Sequence, residues 1–187
     1  MSTQPLQAVI AATRGVLANV TADQLQNSTP CDSWDVAGIV NHVIDAQGFF
    51  VAGLSGQPPS GDNVDHAAGD FLAAYDDATQ ATLDAFGAEG ALDGMVKMPF
   101  GEMPGRAVLG LAMTDTFTHG WDLAKATGQS TDLAPELAEQ LLGASRQMIQ
   151  PAFRGDDGAA PFGAEQECPD GACNADKLAA FLGRNVS

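Results

Sequence analysis

The stretch PGRAVLGLAMTDTFTHGWDLAKAT, Pro104 to Thr127, decides the fold. At about 100° per residue, Val108, Leu111, Ala112, Asp115, His119, Asp122 and Ala126 share one face of a helix. The other side carries Leu109, Met113, Phe117, Leu123 and Ala124. A helix that is apolar nearly all round is a buried one, so neighbours must enclose it. Proline suits its first turn and Gly128 stops it, which predicts a helix from near Pro104 to just before Gly128.

The flanking sequence supplies those neighbours. Leu6, Val9, Ile10, Val16 and Val20 recur at helical spacing and predict a helix over about 4–19. Thr21 caps a short helical turn, and a polar loop, NSTPCD, follows. Ser33 is the expected N-cap of a second helix, whose stripe is Val36, Ile39, Val40, Val43, Phe50 and Leu54, ending near Gly53. Residues 55–65, SGQPPSGDNVD, read as a loop. A third helix is predicted over about 66–86, capped by His66 and carrying Phe71, Leu72, Tyr75, Ala78, Leu83 and Phe86.

Glycines and prolines make residues 87–105 an irregular connection, with one short extended piece expected around Gly94–Phe100. Asp132 is expected to cap a fifth helix that has Pro135 in its first turn and runs to about Ile149. Pro151 to Ala175 is turn-rich, and a last short helix, Asp176 to Leu182, brings Leu178, Phe181 and Leu182 back to the body. No internal repeat and no convincing strand ladder is visible. The expected fold is therefore an all-α bundle of four long helices with short accessory helices. It forms a single domain over 1–187, with 151–187 as a turn-rich C-terminal segment.

Composition narrows the function. The 187 residues include 8 Lys+Arg against 24 Asp+Glu, a formal charge of −16. Such a field repels phosphate backbones and anionic headgroups, so neither a nucleic-acid nor a membrane partner is expected. No apolar run is expected to reach the ~18 residues of a membrane span. The start, MSTQPLQAVIAATRG, lacks the basic and apolar regions of a signal peptide. Three cysteines, an odd number, point to a reducing cytoplasm rather than to a disulfide framework.

The buried helix holds the chemical anomaly. Asp115, His119 and Asp122 interrupt a face that begins and ends apolar. Burying ionisable groups costs several kcal/mol unless they are paired or bind a metal. Asp115 and His119, at i and i+4, project side by side, the spacing by which one helix offers two ligands to one ion. The same spacing also occurs in ordinary surface hydrogen bonds. His42, on the shoulder of the second helix, is the candidate third ligand. Two imidazoles and a carboxylate leave coordination positions open, as catalytic metal sites require. Asp122 reads first as the group that orients His119, with a fourth ligand or a cap for the following loop as alternatives. Asp45 is expected to face solvent.

These residues also carry a resemblance. Thr29-Pro-Cys-Asp-Ser-Trp34-Asp-Val36, Asn41-His42-Val43, Pro99-Phe-Gly-Glu-Met-Pro-Gly105, Thr114-Asp115, His119-Gly-Trp-Asp-Leu123 and Ala126-Thr-Gly128 are similar in combination to the DinB/YfiT-like metal-binding superfamily. More closely, the chain resembles the actinobacterial branch that includes the N-terminal domain of mycothiol-dependent maleylpyruvate isomerase. The ending Ala179-Ala-Phe-Leu-Gly-Arg184 is similar to that of single-domain members. The resemblance implies an up-down-down-up four-helix bundle that holds one divalent metal, zinc or nickel, through three side chains. By motif these fall on His42, Asp115 and His119. Where the isomerase has Glu, this chain has Asp115, one methylene shorter.

It further implies a transferase or isomerase reaction on a small electrophile, with a low-molecular-weight thiol such as mycothiol as cosubstrate. The isomerase carries an additional C-terminal domain, so its own reaction is not carried over to this chain. The competing expectation is a non-catalytic metal-binding or interaction module, possible as a homodimer.

The remaining features read as structural. Cys31 docks the loop before the second helix, with a reactive thiol near a helix N-terminus as the alternative. Cys168 and Cys173 flank a turn and are expected as unpaired thiols, with a disulfide across that turn as the alternative. Trp34 and Trp121 are expected to pack between helices, with Trp121 lining a pocket beside the ligands as the alternative, and Arg106 and Arg154 to lie at the surface, with local attraction of an anionic substrate as theirs.

Overall fold

The structure is a computed structural model that describes residues 3–58, 64–155 and 160–187. Among these residues the helices are α1 (Gln4–Leu17), α2 (Val36–Ser55), α3 (Phe71–Gly87), α4 (Gly105–Ala126), α5 (Pro135–Met148) and α6 (Asn174–Phe181). A hairpin of β1 (Met95–Met98) and β2 (Gly101–Pro104) lies between α3 and α4, and 3₁₀ turns occur at Ala22–Gln24, His66–Ala68 and Pro151–Phe153. Parts of the loops expected at 55–65 and in the 151–175 segment fall outside the described residues.

α1 packs against α4 and α3, and α2 against α3 and α4, so the four long helices enclose one core. α4 has a second role. Its Val108, Leu109, Ala112, Leu123 and Ala124 join that core. Its Phe117 and Trp121 join another, made with Val9 of α1, Leu141 of α5 and Leu178 and Phe181 of α6. Helices lie on both sides of α4, which is why its sequence shows no clean polar face. Each large apolar side chain buried there contributes about 1.5–3 kcal/mol, enough in sum to hold a helix that carries three ionisable groups.

α1 and α4 approach closely at Gly120. A Cβ at that position would lie 2.5 Å from Thr13 Oγ1 and 3.1 Å from Thr13 Cβ, and the Thr13 hydroxyl donates to the Thr116 carbonyl across the same contact at 3.0 Å. Gly120→Ala is expected to destabilise the fold by about 1–3 kcal/mol through overpacking. A thermal melt checks this; an unchanged midpoint would mean that α1 gives way without cost.

Contrary to the expectation that no apolar run reaches that length, α2 has the length and apolar composition of a membrane span. Asn41, His42, Asp45 and Gln47 interrupt it, and its Val36, Ile39, Val40, Val43 and Phe50 are buried in the bundle core.

Several local expectations are corrected. Asp35, not Ser33, caps α2: its backbone is extended and its carboxylate accepts from Gly38 N at 2.8 Å. The third helix begins at Phe71 rather than 66, because Asp70 accepts from Ala73 N at 3.0 Å and closes the first turn. His66 therefore does not cap it. It sits in the 3₁₀ turn, with Nε2 3.1 Å from Asp45 Oδ1. Asp45 is exposed, as expected, but paired.

The single extended piece is half of a hairpin, pairing Met95 with Pro104 and Met98 with Gly101 around a two-residue turn. Val96 and Met98 are buried on its inner face, and α2 packs against β1. α5 starts after Ala134, which adopts a left-handed φ of 37° and makes no side-chain cap. Asp132 does not cap it, because the helix begins at Pro135 and the N-cap position falls to Ala134, two residues beyond Asp132. The last helix spans Asn174–Phe181 and is capped by the Cys173 sulfur, which accepts from Asp176 N.

Candidate metal centre

Two helices bring the candidate ligands together. His42 lies in the second turn of α2, and Asp115 and His119 lie one turn apart on α4. His42 Nε2 is 3.2 Å from Asp115 Oδ1, and His119 Nε2 is 3.7 Å from the same oxygen. One donor atom from each of the three residues lies within 4.8 Å of the others. Four-coordinate zinc, with ligands at about 2.0–2.2 Å, spaces its donors about 3.3–3.6 Å apart. The observed separations need adjustments of only a few tenths of an ångström around Asp115.

A second observation fits a cation. Asp115 Oδ2 is buried and makes no hydrogen bond in the protein. A buried acceptor left unpaired costs about 1–3 kcal/mol, and more when charged, so the carboxylate has capacity that a cation would satisfy. Burial by itself would push the Asp115 carboxyl up. The His42 hydrogen bond and the charges of His119, His42 and Arg184 outweigh that and hold it below the usual carboxylate range.

The depth of the three groups differs. The His119 side chain is 8 % exposed, whereas His42 and Asp115 are 27 % and 28 % exposed. The group is therefore anchored at His119 inside the bundle and partly exposed at His42 and Asp115. Trp34, from the loop before α2, stacks on His42 with ring centroids 4.4 Å apart and 26° between planes. It also meets His119 edge-on at 5.4 Å. This residue was expected only as packing between helices. Its stacking partner is set by how the loop folds back, which helical periodicity does not encode.

Asp122 lies behind His119 and is fully buried. Its Oδ2 is 3.0 Å from His119 Nδ1. With Nδ1–H donating there, Nε2 presents its lone pair toward Asp115 and His42. The two ring nitrogens point apart, so Asp122 does not share an ion held at Nε2. Asp122 therefore stands on the Nδ1 side of the imidazole, away from Asp115 and His42. Burial by itself would push the Asp122 carboxyl up, but the His119 hydrogen bond and the Arg184 charge hold it down.

Arg184 completes the arrangement, donating to Asp122 through Nε at 3.3 Å and Nη2 at 3.1 Å. It was not among the expected site residues. Its place in the Ala179–Arg184 ending, 62 positions from Asp122, gives no local signal of which side chain it meets.

Cys31 is half-buried, with a donor atom within 4.8 Å of donor atoms of His119 and Asp122. It also packs against the bundle core, as the docking reading expects. Cys168 and Cys173 are unbridged thiols, and burial pushes both thiol pKa values up. Trp121 faces away from the centre, donating from Nε1 to Asp176 Oδ1 at 2.8 Å. Arg154 is half-buried, with Nη1 on the Gly163 and Phe181 carbonyls at 2.7 and 2.8 Å.

Comparison with known proteins gives a consistent picture. The family model described as the mycothiol maleylpyruvate isomerase N-terminal domain matches residues 6–124. Two Mycobacterium tuberculosis sequences, the uncharacterized proteins Rv0738 of strain H37Rv and MT0763 of strain CDC 1551, are each 42 % identical over 174 residues, 91 % of this chain and 91 % of theirs. No solved structure matches significantly.

Proposed function

The chain belongs to the mycothiol maleylpyruvate isomerase N-terminal domain family, and on that premise we propose that it binds one divalent metal, zinc or nickel, through His42, Asp115 and His119. Its activity on this reading is that of a transferase or isomerase that uses a low-molecular-weight thiol of the mycothiol type on a small electrophile. The observation that carries the reading is the convergence of three donor atoms within 4.8 Å around a carboxylate whose second oxygen is buried and unpaired.

The family's name supplies the thiol, and the chemistry of the donor set agrees with it. A divalent ion held by two imidazoles and one carboxylate supplies Lewis acidity, which lowers the pKa of a thiol or polarises a carbonyl. The protein's own contribution is placement. Asp115 supplies negative charge from the open side of the centre, and His119 is held rigid by Asp122. Trp34 covers the outer face of His42 and offers an apolar wall beside the opening. No side-chain nucleophile is needed.

The experiment is metal analysis of protein purified without a chelating tag, followed by titration of mycothiol into the metal-loaded and metal-stripped forms. About one ion per chain is expected, with thiol binding that disappears when the metal is removed. Full metal occupancy without thiol binding would favour a non-catalytic metal module. Substoichiometric metal, with no thermal shift on adding zinc or nickel, would sink the reading.

A further inference from the structure

The family match ends at residue 124, yet the chain returns to the metal centre near its end. Arg184 lies against Asp122 with its side chain 13 % exposed. Nε and Nη2 each reach a different carboxylate oxygen, Oδ1 at 3.3 Å and Oδ2 at 3.1 Å. Oδ2 is also the atom 3.0 Å from His119 Nδ1. A planar guanidinium engaging both oxygens fixes the plane of the carboxylate, which a single hydrogen bond does not.

Arg184 is itself braced. Its backbone N donates to the Ala179 carbonyl at 2.9 Å, and Lys125 Nζ, from the last turn of α4, donates to the Val186 carbonyl at 2.9 Å. The bend that delivers it uses Gly183 at φ 101°, where a Cβ would lie 2.6 Å from Gly163 Cα. Two backbones cross there, and the crossing sets the path of the chain toward Asp122.

We propose that Arg184 is a positioning residue of the metal centre: by gripping both oxygens of Asp122 it fixes the imidazole of His119, which makes the C-terminal segment part of the metal-binding apparatus. The inference rests on His42, Asp115 and His119 being the ligands. It goes beyond that reading in assigning a role to residues outside the family-matched region. A guanidinium that only neutralised the Asp122 charge would be replaceable by lysine. One that sets the carboxylate plane would not, since an ammonium lacks the two-pronged geometry.

The test is a Co²⁺ titration of wild type, Arg184→Met, Arg184→Lys, Asp122→Asn and the Arg184→Met/Asp122→Asn double variant. Affinity is read by competition, coordination by the cobalt d–d absorption, and folding of the metal-free forms by circular dichroism. Arg184→Met is expected to weaken Co²⁺ binding about 10–100-fold and to change the d–d bands. Arg184→Lys should recover less than half of that loss on a logarithmic scale, and Arg184→Met should add little once Asp122 is Asn. Wild-type affinity and spectrum in a folded Arg184→Met variant, full recovery by Lys, or independent losses in the double variant would each overturn the proposal.

If Arg184→Met does not fold, Arg184→Lys decides alone: weakened binding with altered bands supports the role, and wild-type behaviour overturns it. Absence of Co²⁺ binding by the wild type would remove the ligand assignment, and this inference with it. That outcome is distinguishable from a wild type that binds and an arginine that does not matter.

Discussion

Replacing His119 by alanine is expected to cost the protein its metal, with affinity for zinc, nickel or cobalt falling by about two to three decades. Structural zinc sites bind with about 10–16 kcal/mol at neutral pH, so each of three or four ligands carries roughly 3–4 kcal/mol, and every 1.4 kcal/mol is tenfold. His119 is the most deeply placed of the three groups and the one whose ring is held from behind. Solvent cannot readily supply an equivalent donor from that side. Asp122 keeps both of its contacts to Arg184 in the variant, so the fold survives the loss. Isothermal titration with zinc, alongside metal content after purification, checks the result. Cys31→Ala serves as the control and should leave stoichiometry unchanged. Loss of binding in both His119→Ala and Cys31→Ala would transfer the centre to the group formed by Cys31, His119 and Asp122, and retained binding in His119→Ala would overturn the assignment.

The largest effect on stability is expected from Asp122→Ala. Removing one partner of a buried ion pair leaves the other charge uncompensated, a loss of about 3–5 kcal/mol. Here the abandoned partner is Arg184, with two of its nitrogens on the missing carboxylate, and His119 Nδ1 loses its acceptor as well. For a chain of this size that corresponds to a fall in melting temperature of roughly 6–20 °C. Urea denaturation of the metal-free protein isolates the structural effect from metal release. Asp122→Asn, which keeps the shape and one acceptor oxygen, should cost less. A metal-free Asp122→Ala protein as stable as wild type would mean that Arg184 swings out to water and that the pair holds nothing together.

How far the site could be read in advance depended on how local each constraint is. The i, i+4 relation of Asp115 and His119 is a property of one helix, so spacing alone placed them side by side. Asp122, three residues beyond His119, followed from the same geometry. His42 required a second helix at the right rotation. The apolar stripe of α2 put it on a shoulder of that helix, and the resemblance, not periodicity, named it as a ligand.

Trp34, Cys31 and Arg184 belong to a loop and to the terminal segment, where periodicity carries no information about direction. The cap residues show the same division. Asp35 and Asp70 are ordinary capping residues at the positions they occupy, but Ser33 and His66 were equally plausible until the backbone settled which turn closes first. The pairing of β1 with β2 escaped because seven glycines and prolines scattered over residues 87–105 hide two four-residue strands, held by burial of Val96 and Met98 on the inner face rather than by strand-forming sequence.

The sequence by itself determined the helical character, the burial of α4 on all sides and the presence of ionisable groups inside it, because helical periodicity and hydrophobicity act over a few residues at a time. Tertiary structure alone decided that α2 delivers His42 to Asp115, that Trp34 lies on that imidazole, and that Arg184 reaches back across 62 residues to hold Asp122. Such contacts are fixed by the close packing of whole elements against one another, and a side chain's partner across that packing leaves no trace in the residues beside it.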